Sequence, residues 1–500
     1  MFRIFNKQKL SQFNTSLEQN IKMLKEIFSN DNTIIYRRFE NQKNKTIRCC
    51  IIFADGMVNN EIINENIIQP IVGNTLLNYE KGMIDSLQYG VIISNDVEKT
   101  SDVYLAIEAI LGGDTVLFIE GASEVLVIGT KGWQVRSITE PENEKVLRGP
   151  REGFTESLIV NLALIRRKLQ TPELKFIFRT LGVRSNTRAC VCYIEGIANG
   201  KILQELNKRL DNVQIDGILD TGYLEELLSD APLSMFKTLG STERPDVVAG
   251  KLLEGKIALV VDGTPFVLTV PYLFIEHFQS NEDYYISYYS ASISRVLRGC
   301  SFLFSISIPA VYVALVTFHK EMIPTPLLMS VAAARQGMPF PTVIEAIGML
   351  IVFEILREAG ARMPTFIGQA LSIVGAIVIG QAAVDARLVS SPMIIVIAFS
   401  GITGLVINKM KGAVFILRLV FILLASVFGL YGYVFGVTGW LIHLFQLRSF
   451  GIPYMYNLTS FDPEDLKDTV IRAPWWYMKY RPKLIATKNM VRLSSGSRPK

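Results

Sequence analysis

Two kinds of hydrophobic patterning divide the chain. Up to about residue 290, apolar residues come in short runs bounded by turn-forming residues. The runs "TIRCCIIF" (46–53), "DTVLFIE" (114–120), "EVLVIGT" (124–130), "RACVCYI" (188–194), "KIALVV" (256–261) and "PFVLTV" (265–270) read as strands. "GAS" at 121–123 and "DGT" at 262–264 read as hairpin turns between them. Helical spacing predicts helices over 16–28, 60–68, 153–169, 200–210 and 222–229. The helix at 153–169 ends in Arg166, Arg167 and Lys168, which suits the negative end of its dipole. It follows "RGPREGF", whose proline and two glycines mark a link, so a boundary is expected near residue 150. The first part therefore reads as an α/β or α+β region of two subdomains, 1–150 and 151–290.

From residue 291 to 447 the apolar runs lengthen, as in a membrane domain. A spanning helix needs about 20 mainly apolar residues. Residues 297–318, 342–359, 366–384 and 389–408 meet that, and 412–446 is long enough for two helices if "GLYGYVFG" (429–436) breaks it. Pro309 will kink the first helix unless a neighbour satisfies the carbonyl that it leaves free. Four prolines and Arg335 make 319–341 a poor span, and a short interfacial or re-entrant helix is expected over 326–336. Six spans result. They put Arg295, Arg298, Arg357, Arg362, Lys409, Lys411 and the tail 448–500 on one side, which is the cytoplasmic side by the positive-inside rule.

Charge and composition refine this picture. The tail carries ten Lys/Arg against four Asp/Glu, which suits a cytoplasmic terminus beside anionic lipid. The basic residues are scattered outside any known motif, which argues against nucleic acid as a partner. The opening "MFRIFNKQKLSQF" has no apolar core of signal-peptide length, so the first region is expected in the cytoplasm. Cysteines 49, 50, 190, 192 and 300 have no metal spacing and read as reduced thiols. There is no phosphate-binding glycine loop or nucleophile elbow, and His277, His319 and His443 are dispersed. Asp55, Asp262 and Glu276 are conceivable acids or bases, but turn chemistry explains Asp55-Gly56 and Asp262-Gly263 better. The reading is a non-enzyme without cofactor or metal.

The candidate chemistry lies in the apolar half. Glu345, Glu354, Arg357 and Glu358 sit within one expected span, and Glu354 is the deepest. It either forms an internal ion pair that fixes helix packing, lines an ion path, or faces lipid in its neutral form. In the next helix Gly368, Ser372, Ala376 and Gly380 make a face of small residues that permits close helix approach. Beside it run Gln369, Ile373, Ile377 and Gln381, polar at the ends and apolar between, as a hydrophobic constriction requires. Ordinary close packing gives the same periodicity.

Several stretches together resemble the A subunit of spore germinant receptors from endospore-forming bacteria. They are "RGPREGFTESL" (148–158), "TERPD" (242–246), "DGTPFVLTVP" (262–271), "EDYY" (282–285), "IPTPLL" (323–328), "MPFP" (338–341), "EILREAG" (354–360) and "SIVGAIVIGQAAV" (372–384). Gln336 stands where that family often has an acid, and Arg387 where a small residue is usual. The resemblance implies a nutrient-sensing complex in the spore inner membrane, with the first region facing the spore interior. It also implies a transporter-like B subunit that binds the nutrient, a lipoprotein C subunit, and a homo-oligomer, expected as a pentamer, around a pore for monovalent cations. A secondary transporter and a membrane scaffold are the alternatives.

Overall fold

The fold is that of a computed structural model, which describes residues 12–74, 83–94, 96–132, 144, 146, 148–363, 375, 378–459, 467–486 and 489–492. The chain forms two compact units. The first comprises residues 1–229, 239–271 and 478–500, and the second 230–238 and 272–477.

The first unit is built twice from one plan. Its first half runs α1 (Leu17–Ile27), β1 (Ile34–Glu40), β2 (Arg48–Ala54), a helical stretch from Asn60 to Gly73 with a π-helical middle, α2 (Met83–Gly90), β3 (Val97–Thr100), α3 (Val103–Gly112), β4 (Thr115–Ile119) and β5 (Val125–Ile128). Its second half runs α4 (Leu158–Lys168), β6 (Leu174–Leu181), β7 (Thr187–Ile194), α5 (Gly200–Asp211), α6 (Thr221–Leu227), β8 (Gly240–Thr242), α7 (Pro245–Leu253), β9 (Ile257–Val261) and β10 (Val267–Val270). The sheet orders are β1-β2-β4-β5-β3 and β6-β7-β9-β10-β8, the same arrangement repeated. Every pairing is antiparallel, so each half is an α+β layer structure.

Local chemistry repeats with the topology. Asn59 and Asn199 each cap the helix after the second strand, accepting from backbone N–H groups two residues on. Glycines with positive φ recur at equivalent turns: Gly56 with Gly196, Gly113 with Gly255, and Gly121 with Gly263. The central strands β2, β4, β7 and β9 are almost wholly buried, as expected for strands covered on both faces. Arg166 of α4 joins the halves, reaching Asp31 at 2.5 Å and Thr33 at 3.0 Å and lying over the Phe176 ring. The C-terminal segment belongs to this unit as well. Ala486 pairs with Ala198 and enters the second half's core, and Arg481 donates to the Leu253 carbonyl at 2.6 Å.

The second unit is helical: α8 (Tyr288–Thr317), α9 (Thr325–Arg335), α10 (Thr342–Arg362), α11 (Ser391–Leu405) and α12 (Lys411–Gln446). Among the described residues, α8 and α12 are long and apolar enough to cross a membrane. A straight 36-residue α12 would be about 54 Å long. Instead, the backbone leaves helical geometry at Gly429, with φ 61° and ψ −141°. The chain reverses there: the Phe421 and Tyr433 rings lie 5.7 Å apart, and a Cβ at Gly436 would come within 3.0 Å of Phe421. α12 is therefore a hairpin of two antiparallel arms, and its break falls within the expected stretch 429–436. The expected helix at 326–336 is α9, which buries only Val331. Arg387, where a small residue was expected, takes a left-handed turn with φ 53°.

Candidate functional site: a polar junction between apolar helices

The functional reading turns on how the apolar unit accommodates its polar groups. Pro309 has no N–H and cannot donate to the carbonyl of Ser305 one turn earlier. That carbonyl instead accepts from Arg418 Nε of α12 at 2.8 Å and from Ser400 Oγ of α11 at 2.8 Å. The Ser400 carbonyl in turn accepts from Arg418 Nη2 at 2.5 Å and from Ser305 Oγ at 3.2 Å. Arg418 Nη2 also donates to Ser305 Oγ. Three helices thus share one knot of hydrogen bonds around an arginine only 1% exposed. Small residues make room for it. A Cβ at Gly404 would collide with the Arg418 guanidinium, and one at Gly401 would press into the Phe353 ring.

The sequence pointed to Pro309 and its freed carbonyl but passed over Ser305, Ser400 and Arg418. A signal was available. Arg418 is the lone Lys, Arg, Asp or Glu between Lys411 and Arg448. A charge in such a run has to face protein or water.

A second polar contact involves Glu345, only 2% exposed. Its Oε2 accepts from the backbone N–H of Ser390 at 3.0 Å and from Ser390 Oγ at 2.8 Å, and so caps the start of α11. Its Oε1 pairs with Arg335 of α9 at 3.3 Å. Ser390 was also missed in the sequence, where the run Ser390-Ser391-Pro392 reads simply as a helix start.

The remaining candidates are not all gathered here. Glu354 pairs with Arg357 one turn on in the same helix; both are about one quarter exposed, and the second Glu354 oxygen is buried without a partner. Glu358 pairs with Arg362 at 2.6 Å on an exposed face of α10. Gly380 is buried, whereas Gln381 is exposed and donates to Asp385 at 3.1 Å. Gly368, Gln369, Ser372, Ile373, Ala376 and Ile377 lie outside the described residues. No group of three or more potential metal-ligating side chains occurs among the described residues.

The family described as Bacillus/Clostridium GerA spore germination protein matches residues 22–484, which span both units. The chain belongs to the GerA family. It is 41% identical to spore germination protein KA of Bacillus subtilis (strain 168) over 97% of this chain and 89% of that one. It is 40% identical to the membrane protein YfkQ of the same strain, covering 93% and 91% respectively. A crystal structure of the N-terminal domain of the A subunit of the Bacillus megaterium germinant receptor GerK3 is 33% identical, covers 53% of this chain and 99% of that one, and superposes with a TM-score of 0.42.

The stretches that carried the GerA resemblance have visible structural duties. Arg244 of "TERPD" is buried and clamps the link before α4, donating to the carbonyls of Glu144 at 3.2 Å and Pro150 at 2.7 Å and pairing with Asp246 at 3.0 Å. Asp262 of "DGTPFVLTVP" accepts from the Leu158 N–H at 2.9 Å, capping α4 from a distant turn. Asp283 of "EDYY" pairs with Arg295 at 2.8 Å and with Arg298, fixing the start of α8. Glu276 likewise has a local task, accepting from the Leu273 N–H at 2.7 Å.

Proposed function

We propose that this chain is the A subunit of a nutrient germinant receptor in the spore inner membrane, acting there as a subunit of an oligomeric ligand-gated ion channel. The observation that carries the reading is the GerA match over residues 22–484, which covers the duplicated unit and the helical unit together. In this reading a transporter-like B subunit binds the nutrient and a lipoprotein C subunit completes the complex. The first unit faces the spore core. α8, α10, the helix expected at 366–384, α11 and the two arms of α12 make six crossings. The hairpin supports that count, because it returns the chain to the side from which it entered.

The helix at 366–384 lines the pore, with Ile373 and Ile377 as the constriction and Gln369 and Gln381 at its mouths. Glu354, Arg357 and Glu358 hold the helix behind it. Five copies surround the path, and nutrient binding to the partner shifts the ring from closed to open so that monovalent cations leave. A shift from mostly closed to mostly open takes about 5.5 kcal/mol of differential binding.

The test is potassium flux from liposomes that hold the purified chain, alone and with its partner subunits. Nutrient-dependent release supports the channel. A tight membrane under both conditions, from a chain that assembles normally, overturns it. Ile377→Ser is expected to leak without nutrient; a tight and responsive variant would remove Ile377 from the gate.

A further inference from the structure

The segment 467–477 is wrapped around the first turns of α8. Arg295 Nη1 reaches the Asp468 carboxylate at 2.7 Å. Arg472 Nη1 donates to the Ile286 carbonyl at 3.0 Å, and Ser292 Oγ donates to the Arg472 carbonyl at 3.3 Å. The Tyr284 ring packs against Trp475 with centroids 5.8 Å apart, and Tyr288 meets Trp476 edge-on at 6.0 Å. These contacts hold the strap firmly but do not cover it. Ile471 is 63% exposed and Trp475 40%, and Tyr289 and Ile293 in the first turns of α8 are 67% and 62% exposed.

Two observations say what covers this surface. Exposed Tyr289, Ile293, Leu297 and Phe304 follow one face of α8, with half-buried Cys300 and Ser301 between the last two, so the patch leads into the surface that faces lipid in the spanning reading. In addition, α8 has 30 residues and is about 45 Å long, against about 30 Å of hydrocarbon. Its far half is apolar, and buried Arg295 and half-buried Arg298 lie toward the Tyr288 end, so that end reaches the headgroup layer. Tyr and Trp favour this layer, since their rings are apolar while their O–H and N–H groups bond to headgroups and water.

We infer that the 467–477 strap and the first turns of α8 form an anchor inserted into the phospholipid headgroup layer. The inference rests on the membrane-spanning reading of the helical unit. Trp475 and Ile471 enter the layer, and the Arg295–Asp468 pair ties their depth to the position of α8. The anchor therefore fixes how far this helix can slide along the bilayer normal.

The test uses the full chain carrying W133F, W440F and W476F, reconstituted in phosphatidylcholine–phosphatidylglycerol vesicles with a nitroxide at acyl carbon 5 or 12. Fluorescence of the remaining Trp475 should be quenched about twofold more by the shallow label than by the deep one. A chain without native tryptophans and carrying V420W, at the middle of the first arm of the α12 hairpin and 40% exposed, reads the span itself and should be quenched by the deep label. If that probe is quenched and Trp475 responds to neither label, the strap faces protein or water and the anchor is wrong. If neither probe is quenched, the spanning reading fails and the anchor with it.

Discussion

Two buried arginines, Arg166 of the duplicated unit and Arg418 of the helical unit, are held in opposite ways. In the duplicated unit Arg166 meets a carboxylate, Asp31, at 2.5 Å, with both side chains almost completely enclosed. In the helical unit Arg418 is equally enclosed, yet it donates to two carbonyls and a hydroxyl. The difference follows from the backbone. Arg166 finds its acceptors on side chains, Asp31 and Thr33, whereas Arg244 and Arg481 of the same unit also reach main-chain carbonyls. In α8, Pro309 leaves a carbonyl without its usual donor, and the arginine supplies one. A proline in an apolar helix thus creates a docking point for a cation without a counter-charge in the same place.

This contrast can be broken at several points. The largest effect is expected from Asp31→Asn, which keeps the shape but leaves Arg166 buried without its counter-ion. Removal of one partner of such a pair costs about 3–5 kcal/mol, readable as a lowered denaturant midpoint in pulse proteolysis of the full chain in detergent. An unchanged midpoint would mean that Thr33 and the Phe176 ring suffice for Arg166.

Arg418→Met should cost less, about 1–3 kcal/mol, because the orphaned groups are neutral and Ser305 and Ser400 still bond to each other. Pro309→Ala restores the missing N–H. Combined with Arg418→Met it should therefore recover part of the loss, whereas alone it competes with Arg418. The two changes should be non-additive by about 0.5 kcal/mol or more in a double-mutant cycle. Additive effects would separate the proline from the arginine.

Gly404→Ala forces a methyl group against the guanidinium and within 3.0 Å of Ser305 Oγ. Overpacking of this kind costs about 1 kcal/mol or more, seen as a lower melting temperature in detergent.

The smallest perturbation uses thiols. Burial pushes Cys49 up to about 12 and Cys50 up to about 11 on β2 of the first unit. Both should resist maleimide at pH 8 until denaturant is added, while half-buried Cys300 of α8 labels in the folded chain. Prompt labelling of Cys49 would show that the first sheet opens.

The sequence was most legible where one residue type leaves few options. Long apolar runs gave the helical unit, the stretch 429–436 gave the hairpin break, and the turn glycines gave the hairpins β4–β5 and β9–β10. The amphipathic edge strands β1 and β6 were harder to see, because exposed Arg37 and Arg38 and half-buried Arg179 interrupt them. The duplication was hidden for a related reason. Its halves share topology, caps and positive-φ glycines rather than a run of identical residues, and a glycine's φ is not visible in a string of letters. Glu345 and Glu354 illustrate the limit for the site. Helical rise places Glu354 deeper, yet Glu345 is the more enclosed, because its neighbour Ser390 comes from a distant part of the chain. Arg418 was overlooked because its partners are largely main-chain groups, which carry no letter of their own.

The bond from Glu345 to Ser390 has one more implication. It joins the start of α10 to the start of α11 and closes the intervening chain into a loop tied at its base. Every proposed constriction residue lies inside that loop. Its two ends cannot drift apart without exposing a carboxylate and a helix terminus together.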